Sequence, residues 1–275
     1  MKQFDYELVG KIGSMAMIRK QDADIDYNIL SRVASELRPG MIWVTSGATE
    51  IGRLDVLRRA GRELEGEPDA VKTDYAAQGQ PILMAAYRQF ISPEYGVRQL
   101  LVEHQHFNDP EKREHIAELL TRAALQGAIP IVNYNDPVSA EENRKMELAT
   151  LRQRRGDVVE CVDNDETAAV IAGLVRARYL LIMTSADGIY RDPKDPATLV
   201  REVLEPDEER LAARVEELKR SCVGASRAGA GGAAAKLTFA LESARRGTTV
   251  IIGRADYRIS ELLRGSAPHT RIGIR

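Results

Sequence analysis

At 275 residues and 44% hydrophobic content the chain is long and apolar enough to bury a substantial core, as one large α/β domain or as two lobes, so disorder is excluded as its default state. A formal net charge of -2 provides no long-range attraction to nucleic acid or to an anionic membrane, which leaves small-molecule chemistry as the expectation. Two cysteines, Cys161 and Cys222, supply neither a disulfide framework nor a zinc site; the opening Met1-Lys-Gln-Phe-Asp-Tyr-Glu lacks a secretory apolar stretch and no segment is long enough to span a bilayer, so a cytoplasmic setting is expected.

Apolar periodicity gives short buried strands at Tyr6 to Val9 and Met41 to Val44 with a helix from Asp26 to Leu37 between them, a βαβ unit. A long helix follows through Ala76 to Phe90, then a strand at Val97 to Val102, a helix from Pro110 to Gln126 and a strand at Ala128 to Val132. Ser139 to Asp157 is a charged segment. Beyond it come a helix at Asp165 to Val175, a strand at Tyr179 to Met183 and a hairpin-like Ala186-Asp187-Gly188. Pro206 to Arg220 reads as a solvated amphipathic helix, Ala233 to Arg246 as a helix with one buried face and Thr248 to Ile252 as another strand, and Thr270 to Ile274 is expected to close the sheet.

Such alternation predicts an α/β fold, a three-layer αβα sandwich with a mainly parallel central sheet and ligands outside the carboxyl ends of its strands. Polar strand-end loops suit that placement: Lys11-Ile-Gly13-Ser14, Thr45-Ser46-Gly47-Ala48, Asn133-Tyr-Asn135-Asp136 and Thr184-Ser185. Gly229-Ala230-Gly231-Gly232-Ala-Ala-Ala-Lys236 adds a candidate phosphate cradle, because glycines let backbone N–H groups approach an anion and the helix starting near Ala233 points its positive end there. It is not a Walker A loop, since Ala235 precedes the lysine and Leu237 follows it, nor a dinucleotide fingerprint, since Ala234 occupies the third glycine position.

In this fixed order the pieces resemble the amino acid kinase family, and within it the glutamate 5-kinases. They are Lys11-Ile-Gly-Ser14, Val44-Thr-Ser-Gly-Ala48, Gln78-Gly-Gln80 with Leu83-Met84, Gln99-Leu-Leu101, Pro130 to Asp136, Asp163-Asn-Asp165, Met183 to Tyr190 with Asp192-Pro193, and Gly229 to Lys236. The resemblance implies a single kinase domain over 1–275, with an acceptor-binding lobe at residues 1–175 and a nucleotide-binding lobe at 176–275. It also implies ATP-dependent phosphorylation of a carboxylate, that of glutamate or a close analogue, to an acyl phosphate for a downstream reductase or ligase.

By the same resemblance Lys11 and Lys236 contact the phosphates and Asp165 holds the two lysines. ATP is bound by Lys11, Gly13, Ser14, Thr184, Ser185, Ala230, Gly231, Gly232 and Lys236, and the acceptor by Ser46, Gly47, Ala48, Asn135, Asp136 and Asn164. Mg2+ rides on the nucleotide, so no protein metal ligand is expected, and the family's habit is a homo-oligomer. Transfer to a carboxylate needs no protein nucleophile, because the acceptor is already ionised at neutral pH. His104 and His106, alternating on an extension of their strand, lack a third metal ligand and are expected to be structural.

Several positions depart from the family. The segment Ser139 to Arg155 is longer than the usual loop over the acceptor site, and its Arg144, Arg152, Arg154 or Arg155 are candidates to bind an extra anionic group, against the plainer alternative of a solvated helical excursion. Tyr134 replaces a glutamate, Met15 a small polar residue, Ala233 a methionine and Ser185 an aspartate. The chain stops at Arg275, where many relatives append an RNA-binding-type PUA domain. Two other readings stay open: a same-fold kinase with a phosphate or phosphonate acceptor, as in uridylate and isopentenyl phosphate kinases, and a nucleotide-binding regulatory subunit without catalysis.

Overall fold

The computed structural model describes residues 4–19, 21–139, 141–154, 158–161, 163–192, 194–221 and 232–275. Ala230, Gly231, Arg155 and Cys222 lie outside these. One eight-stranded sheet organises the chain: β1 (Tyr6–Ile12), β2 (Met41–Val44), β3 (Gly96–Val102), β4 (Ala128–Tyr134), β5 (Ala177–Thr184), β6 (Glu202–Glu205), β7 (Thr249–Arg254) and β8 (His269–Ile274), in the spatial order β6-β8-β7-β5-β1-β2-β4-β3. Every pairing is parallel except β7 with β8.

Helices cover both faces, as the alternation requires. The register of the buried strands sorts side chains to two cores: Ile42 and Val44, Leu180 and Ile182, Val250 and Ile252 point to one, whereas Met41 and Trp43, Leu181 and Met183, and Ile251 point to the other. The first core is closed by α5 (Pro110–Leu125), α7 (Asn164–Leu174), α8 (Glu208–Ser221) and α9 (Ala233–Arg245), through Leu120, Ile171, Leu211 and Leu237. The second is closed by α1 (Tyr27–Glu36), α2 (Ala48–Ala60), α3 (Pro68–Phe90) and α10 (Ile259–Arg264), through Leu30, Ile51, Leu83 and Leu262. Trp43 is fully buried there; its indole N–H donates to the Tyr87 hydroxyl at 3.0 Å, so burial leaves no orphan donor on that ring.

Local signals set the boundaries. Asp26 caps α1 by accepting from the N–H groups of Asn28 and Ile29, and Asp109 caps α5 ahead of Pro110 in the same way. Helix α2 ends at Gly61, whose φ of 69° is the left-handed conformation glycine adopts without penalty. Helices α2 and α3 cross so closely that a Cβ on Gly52 would lie 1.8 Å from the Tyr75 carbonyl oxygen, and one on Gly79 1.8 Å from that of Ala48.

Five expectations need correction. Strand β1 runs on through Lys11 and Ile12, so Lys11 belongs to the strand rather than to the loop after it. The residues after Val102 form α4 (His104–Asn108), not a strand extension: Glu103 caps this turn, and the His106 ring accepts the Glu103 N–H, which breaks the extended pairing. The helix through Ala76 starts earlier, at Pro68, and α2 precedes it. Strand β8 does not close the sheet, because Glu202–Glu205 pairs outside it and forms the edge. Ala186 to Gly188 leads into Ile189–Tyr190, which pairs antiparallel with Leu199–Val200 rather than with its immediate neighbour.

Candidate active site

The carboxyl ends of β1, β4 and β5, with the amino ends of α7 and α9, enclose a cleft of about 620 Å³. Asp163 builds its floor. Its side chain caps α7 by accepting from the N–H groups of Asp165 and Glu166 at 2.9 Å, which fixes Asn164 and Asp165 in the first helical turn. Asp165 then stands between two lysines from different elements: Lys11 Nζ of β1 lies 2.6 Å from Oδ1, and Lys236 Nζ of α9 lies 3.0 Å from Oδ2. The carboxylate is 4% exposed and Lys11 10%.

Burial works against ionisation of Asp165, but the two ammonium groups and their hydrogen bonds outweigh it and hold the carboxyl below the usual aspartate range. The amino end of α7 adds its positive dipole. Two ammonium groups thus converge on one carboxylate, which places positive charge from two elements where a phosphate could meet it. Gly13 leaves room for it: a Cβ there would sit 3.5 Å from Lys11 Nζ.

A chain of amides runs along the neighbouring wall. Gln80 Oε1 accepts from Asn133 Nδ2 at 2.8 Å, Asn133 Oδ1 accepts from Asn164 Nδ2 at 3.0 Å, and the same Asn164 nitrogen donates to Ser46 Oγ at 2.9 Å. Gln80 and Asn133 are buried, so their pairing is enforced. Asn164 Oδ1 is buried with no hydrogen-bond partner among the described residues. Beside it Asp136 is held above the usual aspartate range by burial, partly offset by the positive charges of Arg144 and Lys72. An unfilled amide oxygen and a carboxylate on one wall form an acceptor site for a positively charged group.

The opposite end is formed by Met183, Thr184, Ser185, Ala186, Gly188 and Ile189. Its turn is braced from behind, where Arg254 Nε lies 2.7 Å from Asp187 and the Tyr190 hydroxyl donates to the same carboxylate at 2.9 Å. The Thr184 hydroxyl is engaged with the Ala186 backbone at 3.0 Å in both directions. Among the described residues no group of three His, Cys, Asp or Glu is placed to hold a metal ion, and no helix is long and apolar enough to cross a membrane.

Of the residues singled out from sequence, Lys11, Gly13, Ser14, Ser46, Asp136, Asn164, Asp165, Thr184, Ser185, Gly232 and Lys236 all line this cleft. Gly47 and Ala48 instead start α2 behind it, Gly47 with a φ of 101°. Asn135 turns away, its Nδ2 donating to Glu103 Oε1 at 2.9 Å. Asn133 and Gln80 join the site without a sequence signal of their own. Asn133 lies in a strand buried on both faces, where alternation carries no signal, and Gln80 was visible only as part of its Gln78-Gly-Gln80 motif.

Comparison with known proteins adds an independent line. The model of the amino acid kinase family matches residues 8–254. The chain is 33% identical over 279 residues to glutamate 5-kinase of Gloeobacter violaceus, covering 97% of this chain and 68% of that protein. It is 35% identical over 187 residues to glutamate 5-kinase of Symbiobacterium thermophilum, covering 67% of this chain and 59% of that one. The chain thus spans about two thirds or less of the length of these relatives. Among solved structures it resembles carbamate kinase from Giardia lamblia bound to AMP-PNP, with a TM-score of 0.62 at 15% identity over 98% of this chain and 99% of that one. UMP kinase from Ureaplasma parvum gives 0.56 at 12% identity over 99% and 100%. At such identities these two speak for the fold alone.

Proposed function

This chain belongs to the amino acid kinase family, and we propose on that premise that it transfers the γ-phosphoryl group of MgATP to a carboxylate, the side-chain carboxylate of glutamate or a close analogue. The observation that carries the reading is Asp165 poised between Lys11 and Lys236 in the same cleft as an unfilled amide oxygen and a carboxylate.

Two anions have to meet for this reaction, and the loose transition state spreads charge over the three equatorial phosphoryl oxygens. Lys11 and Lys236 supply the opposing charge, and Asp165 fixes both before substrate arrives, so little reorganisation is left for the reactive step. An acceptor carboxylate oxygen attacks the γ-phosphorus as the bond to the ADP oxygen breaks; the acceptor is already ionised, so no proton moves and Asp165 serves to position the lysines rather than as a general base. The ammonium group of the amino acid pairs with Asp136 and the free Asn164 oxygen, and Ser46 donates to the acceptor. MgATP enters as the second substrate: its phosphates reach the lysines and the amino end of α9, while the braced turn at Thr184 to Gly188 supports the nucleoside. Mg2+ would arrive with the nucleotide and would supply further positive charge at its phosphates.

The fold neighbours include a UMP kinase, but the half-buried carboxylate of Asp136 opposes a dianionic acceptor at that wall. A hydroxamate assay with MgATP, hydroxylamine and a panel of glutamate, aspartate, N-acetylglutamate and 2-aminoadipate tests the proposal. Hydroxamate with glutamate is the expected outcome. ADP release without hydroxamate on adding phosphate acceptors would replace the carboxylate reading, and silence in both would leave a nucleotide-binding regulatory role.

A further inference from the structure

Helix α6 (Glu141–Arg154) is polar over most of its surface, yet one face is tied to the body of the protein. Leu148 is 5% exposed and packs inward. Glu147 Oε2 lies 3.1 Å from Nε2 of buried His104. Arg144, four residues before Leu148 and three before Glu147 and therefore on the same face, places its guanidinium carbon 5.7 Å from the centre of the Tyr134 ring. These anchors hold Arg144 in the wall of the cleft, together with Asp136, Ser46 and Asn164. Arg144 and Asp136 also share a smaller adjoining cavity of about 140 Å³ with Lys72 and Ser139.

Among the described residues no carboxylate lies within ion-pair distance of Arg144, and no cation lies within ion-pair distance of Asp136. A cation and an anion held in one wall without neutralising each other match a ligand that carries both signs at one end. The guanidinium lies over the Tyr134 ring and hydrogen-bonds to its hydroxyl, and a guanidinium carries five N–H donors, enough for the planar, two-pronged contact that a carboxylate accepts. Asp136 alone would repel an acceptor bearing two carboxylates; a neighbouring guanidinium offsets that.

We propose that Arg144 is a specificity-determining residue that binds the non-reacting carboxylate of a zwitterionic amino-acid acceptor, while Asp136 and Asn164 take its ammonium group. The inference rests on the acceptor reading above and extends it to the head group.

The test compares glutamate with its α-amide, which keeps the ammonium and the side-chain carboxylate but loses the α-charge. Wild type prefers the acid. In Arg144→Gln the acceptor KM for glutamate rises about 10- to 100-fold, the size of a lost charged hydrogen-bonded pair, with kcat and the KM for ATP little changed. Its preference for acid over amide falls close to one, and Arg144→Lys lies between the two. Thermal melts of both variants check that α6 remains docked. An unchanged acceptor KM in Arg144→Gln, or an equal loss for acid and amide, overturns the proposal while leaving carboxylate transfer intact. Where wild type makes no acyl phosphate, calorimetric binding of the same two compounds decides: acid-over-amide preference that disappears in Arg144→Gln upholds the head-group contact without the transfer reading, and no binding of either overturns both.

Discussion

Replacing Asp165 by Asn keeps the shape of the side chain and removes the charge that two lysines share. In the wild-type cleft both ammonium groups contact this one carboxylate, at 2.6 and 3.0 Å, and the side chains of Lys11 and Lys236 are only 10% and 21% exposed. The variant therefore leaves two partly desolvated cations facing each other. Breaking a buried ion pair from one side costs about 3–5 kcal/mol, and the partial exposure of Lys236 places the expectation near the lower end, about 3 kcal/mol. That corresponds to a fall in Tm on the order of 10 °C for a chain of this size. Because the carboxyl of Asp165 is held below its usual value in the folded state, its contribution is fully present above the unfolded value of about 3.9 and is lost as pH falls through the folded value. The gap between wild type and variant should thus be flat from about pH 5 to 8 and close below about pH 4. MgATP should raise the Tm of Asp165→Asn more than that of wild type, since phosphates supply the missing negative charge, while kcat falls about 100- to 1000-fold. Differential scanning fluorimetry with and without nucleotide, beside steady-state kinetics, reads all of this. A variant melting within about 1 °C of wild type and turning over at a similar rate would refute the reasoning.

Gly52→Ala should destabilise by several kcal/mol, at or above the usual overpacking range of about 1–3 kcal/mol, because its Cβ meets backbone rather than a movable side chain; urea unfolding measures it. Gln80→Ala should raise the acceptor KM and lower stability by about 1–3 kcal/mol by orphaning Asn133 Nδ2, with the KM for ATP unchanged in the same assay. Since Asp136 titrates above the usual aspartate range, the acceptor KM should rise as pH falls, beginning above pH 4, and Asp136→Asn should flatten that pH profile.

The layers of this fold were legible because its strands are short, apolar and separated by amphipathic helices. Lys11, Asp165 and Lys236 were legible as a set only through the order of their motifs, since a lysine in a strand and an aspartate after a helix cap are each common. Three features resisted. Helix α2 has no clear apolar stripe, because Gly52 and its contact with Gly79 replace side-chain packing by backbone contact. The turn at His104 was hidden by capping: His106 accepts the Glu103 N–H, which spacing alone does not reveal. The amide chain Gln80, Asn133, Asn164 and Ser46 joins four separate segments, so no local pattern records it. Arg144 was one of four candidate arginines, and only the docking of Leu148 and the Tyr134 ring selects it.

Acyl phosphate formation on a side-chain carboxylate is the chemistry proposed for this cleft. Its most direct test is to quench a reaction of protein, MgATP and glutamate with borohydride, which reduces an acyl phosphate to the alcohol at the carbon that carried it, and to identify the product by mass spectrometry. The expected product is 2-amino-5-hydroxypentanoate, lost in Lys11→Ala and Lys236→Ala; reduction at the α-carboxyl carbon, or ADP formed with no alcohol at all, would overturn the proposed function.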